Sequence, residues 1–105
     1  MHKTLFHAVF VCDRAESARE TRYRRDVYLQ VILPFLPTVG LVFCPDMQRE
    51  YRCCEWKAEE VIYDLRAAVF IVMTGMQDAE SKAEVDEIAE EFIQCGWQTK
   101  NPLQY

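Results

Sequence analysis

The chain has 105 residues, half of them hydrophobic, which suits a single domain (1–105) with one core. With 28% charged and 12% aromatic residues and no biased tract, the composition excludes a disordered or collagen-like chain. The net charge of −5 argues against direct nucleic-acid binding, which relies on many Lys and Arg contacts to phosphates. The acidity is uneven, because residues 1–52 carry eight bases against six acids and residues 53–105 carry four against eleven.

Cysteine usage indicates the redox compartment and argues against a metal site. The five cysteines are odd in number and form no C-x-x-C pair, so we expect reduced thiols and a cytoplasmic location. His2 and His7 are isolated, and vicinal Cys53 and Cys54 would point to opposite faces of a strand, so no metal site is predicted. A His7 and Cys12 dyad fails for the same reason of alternating faces.

The first elements in chain order are a strand and a helix. Residues 3–12 are apolar in both phases of a strand, which predicts a buried strand rather than a signal peptide. A capping box at 17–20 predicts that a helix begins there, and Tyr23, Val27 and Val31 form its apolar stripe. Pro34 ends this helix. The uncharged stretch 31–45 is interrupted by two prolines and is shorter than a membrane span, so no membrane contact is expected.

The second half of the chain predicts two helices with a strand between them. Residues 38–44 form a short strand, and 48–55 is an ambiguous edge strand. Residues 56–66 follow a helical stripe, with a strand from there to Thr74. The clearest helix is 78–95, with Gly96 as its cap and a last strand after it, and its buried face consists of Val85, Ile88, Ala89 and Phe92.

This order predicts an α/β fold: a small, mostly parallel sheet with helices on both faces, as in flavodoxin-like or TIR-like proteins. The alternative is an α+β ferredoxin-like sandwich. It would require 61–73 to be one long strand, so the state of residues 59–66 separates the two folds.

In an open α/β sheet, ligands bind beyond the carboxyl ends of the strands. On the predicted topology this edge carries Asp13, Arg14, Asp46 and Thr74, followed by Ser81, Glu84 and Glu87 of the last helix. A carboxylate there could stabilise an oxocarbenium ion or attack a sugar carbon, which is the chemistry of glycosidic-bond cleavage. No glycine-rich cofactor motif occurs, and no cofactor is predicted.

The strand 9–11 with Arg14 after it, the helix 22–28, the segment 56–60, the strand 69–73 and the segment 81–88 resemble TIR domains in order and spacing. The last segment is similar to the stretch that carries the catalytic glutamate of NAD-cleaving TIR domains, and this resemblance implies that role for Glu87. It also resembles a helix of nucleoside 2-deoxyribosyltransferase-like proteins, whose register implies Glu84 instead. Either resemblance implies a domain that recognises a nucleotide or nucleoside, with Arg14 contacting a phosphate.

A second interpretation needs no chemistry. Glu80, Glu84, Glu87 and Glu91 recur at helical spacing opposite the apolar stripe, as on a solvated acidic face. The chain would then be a non-catalytic adaptor or inhibitor that docks on a basic protein partner through its acidic C-terminal helix. The sequence leaves open whether the protein is an enzyme.

Overall fold

The computed structural model describes residues 1–12, 23–43 and 56–103. Within them the chain forms five strands and one helix: β1 (His2–Cys12), β2 (Tyr23–Leu33), β3 (Val42–Phe43), β4 (Trp56–Asp64), β5 (Val69–Asp78) and α1 (Lys82–Gln94). The strands make one curled, mixed sheet in the order β2-β1-β5-β4-β3. β1 runs parallel to β5, and the other neighbouring pairs are antiparallel.

The first strand is confirmed as a buried, central element. β1 pairs with β2 on one side and β5 on the other, so its backbone groups are satisfied within the sheet. Side chains of both phases are buried. Phe6, Ala8 and Phe10 belong to the main core, and Leu5 and Val9 are buried on the opposite face. A strand that is apolar in both phases is therefore covered on both sides, as its sequence predicts.

The last helix is also confirmed, but it begins at Lys82 rather than at residue 78, because β5 continues to Asp78. Its ends have clear causes. Ser81 is the N-cap, and its hydroxyl accepts a hydrogen bond from the Glu84 amide at 3.1 Å. At the other end Gly96 has a φ of 100°, and the Trp97 amide donates to the Phe92 carbonyl at 3.1 Å. Together with the bond from the Gly96 amide to the Ile93 carbonyl, this is a Schellman motif. The predicted face is the buried one.

The predicted helix with the Tyr23, Val27 and Val31 stripe is wrong, because residues 23–33 form strand β2. A spacing of four residues also fits a strand of period two, and Leu29 and Leu33, which have the same phase, pack against the same core. Pro34 does follow the end of the element, as predicted. The capping box at 17–20 lies outside the described residues.

The predicted helix 56–66 is wrong as well, because this segment is strand β4 in a hairpin with β5. Its apolar residues mimic a helical stripe because of a β-bulge: Ala58 pairs with Thr74, but Glu60 pairs with Met73. The extra residue places Ala58 and Val61 on the same face, three positions apart. The Asp64 carboxylate then accepts the amides of two turn residues and closes the hairpin.

The α/β prediction is therefore wrong, since the described chain has one helix on a mixed sheet in place of helices on both faces. The ferredoxin-like alternative is wrong too, because a turn at 65–68 separates β4 from β5. Of the predicted strand 38–44, residues 38–41 are not in a strand and Val42–Phe43 form β3, while residue 44 and the predicted edge strand 48–55 lie outside the described residues. In place of a last strand, Gln98 makes a single bridge to Tyr28 on the outer edge of β2.

One core fills the space between the sheet and α1. Phe92 contacts the rings of Phe10 and Trp97 edge to face, with both centroid distances at 5.1 Å. The curl of the sheet brings Phe43 of the edge strand β3 to 4.6 Å from Phe6 in the central strand. No helix in the described part of the chain is long and apolar enough to cross a membrane.

Candidate functional site

Among the strands of the described residues, one pair of neighbours ends in the way the predicted site requires. β1 and β5 are parallel, Val11 pairs with Asp78, and the Ala79 amide donates to the Val11 carbonyl at 2.8 Å. Helix α1 begins a few residues later, which brings its N-cap Ser81 to this edge. Asp13 and Arg14, which follow β1, lie outside the described residues, as does Asp46.

Thr74 does not lie at the end of a strand, because β5 continues to Asp78. It sits where β5 pairs with Ala58, and only 5% of its surface is exposed. Its hydroxyl has no hydrogen-bond partner within the described residues. Thr74 is thus part of the interior, and its predicted role in ligand binding stays a prediction.

Ser81 and Glu84 work together at the start of α1. In addition to the bond from the Glu84 amide to Ser81, the Glu84 carboxylate accepts the Glu80 amide at 3.3 Å. Two amides that the helix cannot satisfy internally thereby gain acceptors. This capping role accounts for both residue types, and the catalytic role of Glu84 remains untested.

Glu87 occupies a different environment. It is exposed on the outer side of α1, and no hydrogen bond or ion pair to it occurs among the described residues. The same exposure leaves it accessible to a partner, whereas its catalytic role stays a prediction.

A polar cluster that the sequence did not reveal anchors α1 to β2. Asp86 accepts hydrogen bonds from the Tyr23 hydroxyl at 2.5 Å and from the Arg25 guanidinium at 3.2 Å. These bonds, that from Tyr23 foremost, lower the pKa of Asp86, and the bond to Asp86 raises the pKa of Tyr23. The sequence did not reveal this cluster because Arg25 and Tyr23 are 61 and 63 positions away from Asp86. They meet Asp86 only when β2 is a strand.

A second cluster lies on the sheet face opposite α1. His7 and Asp26 share a hydrogen bond of 2.7 Å, and Arg24 holds the same carboxylate through two further bonds. The ring of Tyr28 stacks on His7 with the centroids 4.5 Å apart. Burial by itself would raise the pKa of Asp26, but the bonds from Arg24 and His7 outweigh it and hold the pKa below its usual range. Cys12 lies in the core on the other face, which confirms that it forms no dyad with His7.

The described residues bring no three metal-ligating side chains together. Of the cysteines, Cys12 lies in the interior and Cys95 is exposed at the C-cap of α1. No protein-family model matches the chain, and comparison with curated proteins and with solved structures gives no significant match.

Proposed function

We propose that the protein is an interaction module that docks on a basic partner through the outer side of α1. The observation that carries this proposal is the position of Glu87 and Glu90, which are exposed on that side. Glu87 has no internal partner among the described residues, and Glu90 has only Arg25 at 3.5 Å. We call these two residues, together with exposed Glu80, the acidic face.

The acidic face is unfavourable for the isolated helix, which supports a role outside it. The last turn of α1 contains no basic residue, although the helix dipole favours cations there by about 0.3–1 kcal/mol. Glu87 and Glu90 are also three positions apart, a spacing at which like charges repel by about 0.2–0.5 kcal/mol. A cationic partner would offset both terms.

Other acids of α1 already have structural roles, so docking does not require them. Glu84 caps the helix, and Asp86 holds Tyr23 and Arg25. Removing either carboxylate would alter the helix itself. Glu87 can be tested without disturbing these contacts, and replacing Glu90 removes only its 3.5 Å ion pair with Arg25, which Asp86 still holds at 3.2 Å.

The test uses decalysine as the basic probe and fluorescence anisotropy as the readout. We expect Glu87→Gln and Glu90→Gln each to raise the dissociation constant by about two- to fivefold, with additive effects on the binding free energy. These effects should be smaller at ionic strengths above about 0.3 M. Glu59→Gln is the matched control, since Glu59 is an exposed glutamate on β4. If all three variants lose the same affinity, the binding depends only on net charge, and the proposed docking face on α1 is refuted.

A second candidate is recognition of a nucleotide or nucleoside, with cleavage of its N-glycosidic bond. One observation favours it: the parallel strands β1 and β5 end side by side at the start of α1, next to Ser81. Hydrolysis of NAD and of nucleosides should be measured for the protein and for Glu84→Gln and Glu87→Gln. If the unmodified protein shows no more turnover than the two variants, this candidate function is eliminated and the docking proposal is unaffected.

A further inference from the structure

The connection between β2 and β3 crosses from one edge of the curled sheet to the other. These two strands are four strand intervals apart in the sheet order, and the curl brings Phe43 of β3 back to Phe6 of β1. Residues 34–41 form this connection. At the two ends of the crossing, Leu33 and Leu41 pack against the core, so the inner side of the segment is covered.

The outer side of this crossing is apolar too. Five large hydrophobic side chains within eleven residues are between 47% and 65% exposed: Ile32, Phe35, Leu36, Val39 and Val42. We call them the apolar strip. No charged residue occurs between Val31 and Phe43. A segment that is apolar on both sides is expected where both sides are covered, as in β1, yet the described chain covers only one.

We infer that the apolar strip is the surface through which two copies of this chain associate. Five residues of this size, each about half exposed, offer roughly 500 Å² in each copy, because one large apolar side chain contributes on the order of 200 Å². Two copies packed strip to strip would bury about 1,000 Å², which reaches the lower limit for a specific interface. The dimer is therefore weak and depends on concentration.

The absence of charge in the strip permits the approach of a second copy. Each chain carries a net charge of −5, which opposes association, so two copies can meet closely only where acids are absent, and the strip satisfies this condition. Lys3, paired with Ile32, and Lys57, paired with Val42, are exposed beside it and supply the polar rim of an interface.

The dimer and the docking face on α1 are independent and respond oppositely to salt. Binding to the acidic face weakens as salt screens the charges. Association through the uncharged strip buries apolar surface, and salt reduces the repulsion between the two acidic chains. Dimerisation should therefore persist or strengthen at an ionic strength of about 0.5 M, at which docking of a basic probe is lost.

Sedimentation velocity over a concentration series tests the inference. We expect a monomer–dimer equilibrium that Leu36→Glu weakens by at least about tenfold, because each dimer loses the contact twice. Leu65→Glu is the matched control, since Leu65 is 86% exposed in the β4–β5 turn, outside the strip. Leu65→Glu should change the dissociation constant of the dimer by less than about twofold.

A second variant separates contact from net charge. Val39→Lys makes the chain less acidic, whereas Leu36→Glu makes it more acidic, and both should break the dimer. Circular dichroism of each variant verifies that the fold is retained. A monomer at all concentrations up to about 1 mM would overturn the inference, as would equal effects at Leu36 and Leu65. Binding of a monomer to phosphatidylcholine vesicles through Leu36 would also overturn it, by assigning the strip to lipid.

Discussion

Replacing Phe92 tests whether the contact between α1 and the sheet holds the fold together. Phe92 is 2% exposed, and its ring meets Phe10 and Trp97 edge to face. Truncating a buried phenylalanine to alanine costs about 3–5 kcal/mol, through lost burial and the cavity that remains. Leucine fills much of that volume but removes two ring pairs of about 0.5–1.5 kcal/mol each, so Phe92→Leu should cost about 1–3 kcal/mol.

These losses are large against the total. A domain of this length has a free energy of unfolding of about 5–15 kcal/mol. If the value lies near the middle of that range, Phe92→Ala removes about a third or more of it. Urea unfolding followed by circular dichroism at 222 nm measures both variants, with the order wild type, leucine, alanine expected. Leu65→Ala is the control and should change stability by less than about 0.5 kcal/mol, because Leu65 is exposed. A loss below about 1 kcal/mol for Phe92→Ala would mean that α1 does not pack on the sheet through this residue.

Three further predictions concern backbone conformation, capping and pH. Gly96→Ala should destabilise the protein by about 1 kcal/mol because Gly96 has a φ of 100°. Ala68→Gly should stabilise it by up to about 1 kcal/mol because Ala68 has a φ of 54°. Melting temperatures that change in the same direction in both variants would contradict this. Ser81→Ala should cost about 1 kcal/mol, with Ser81→Asp restoring it, as measured by urea unfolding. Since the pKa of Asp26 is lower in the folded state, its contribution is present above the unfolded pKa of about 3.9 and is lost as pH falls through the folded value. Asp26→Asn should therefore flatten the acid limb of the stability profile, and an unchanged slope would refute the role of Arg24 and His7 there.

The functional residues were predictable only in part. Helical spacing predicted an acidic face, and Glu80 and Glu87 are exposed as expected, whereas Glu91 is half-buried and Glu90, which the spacing left out, is exposed. The predicted edge depended on the topology of the whole sheet, so Thr74 became an interior residue when β5 extended to Asp78. The capping pair of Ser81 and Glu84 had a readable sequence signal, the S-x-x-E pattern, which was applied at 17–20 and not here.

The sequence by itself determined the elements whose pattern admits one interpretation. β1 is apolar in both phases of a strand. A central strand that is covered on both faces requires this pattern, whereas a helix of the same length does not. Helix α1 combines a stripe at spacings of three and four with a cap at Ser81 and a glycine at Gly96, so several local signals agree. Pro34 likewise ended its element irrespective of the element's type, because proline is unsuited to the interior of either.

Only the tertiary structure decided between strand and helix for β2 and β4. Spacings of four residues in β2 fit both periods, and the bulge in β4 converts a period of two into a spacing of three between Ala58 and Val61. The pairing of β1 with β2 along eleven residues, and of β5 with β4, supplies hydrogen bonds between distant segments that no local pattern encodes. Long-range pairing therefore overrode local periodicity, and it also made the segment with the apolar strip a connection between the two edges of the sheet.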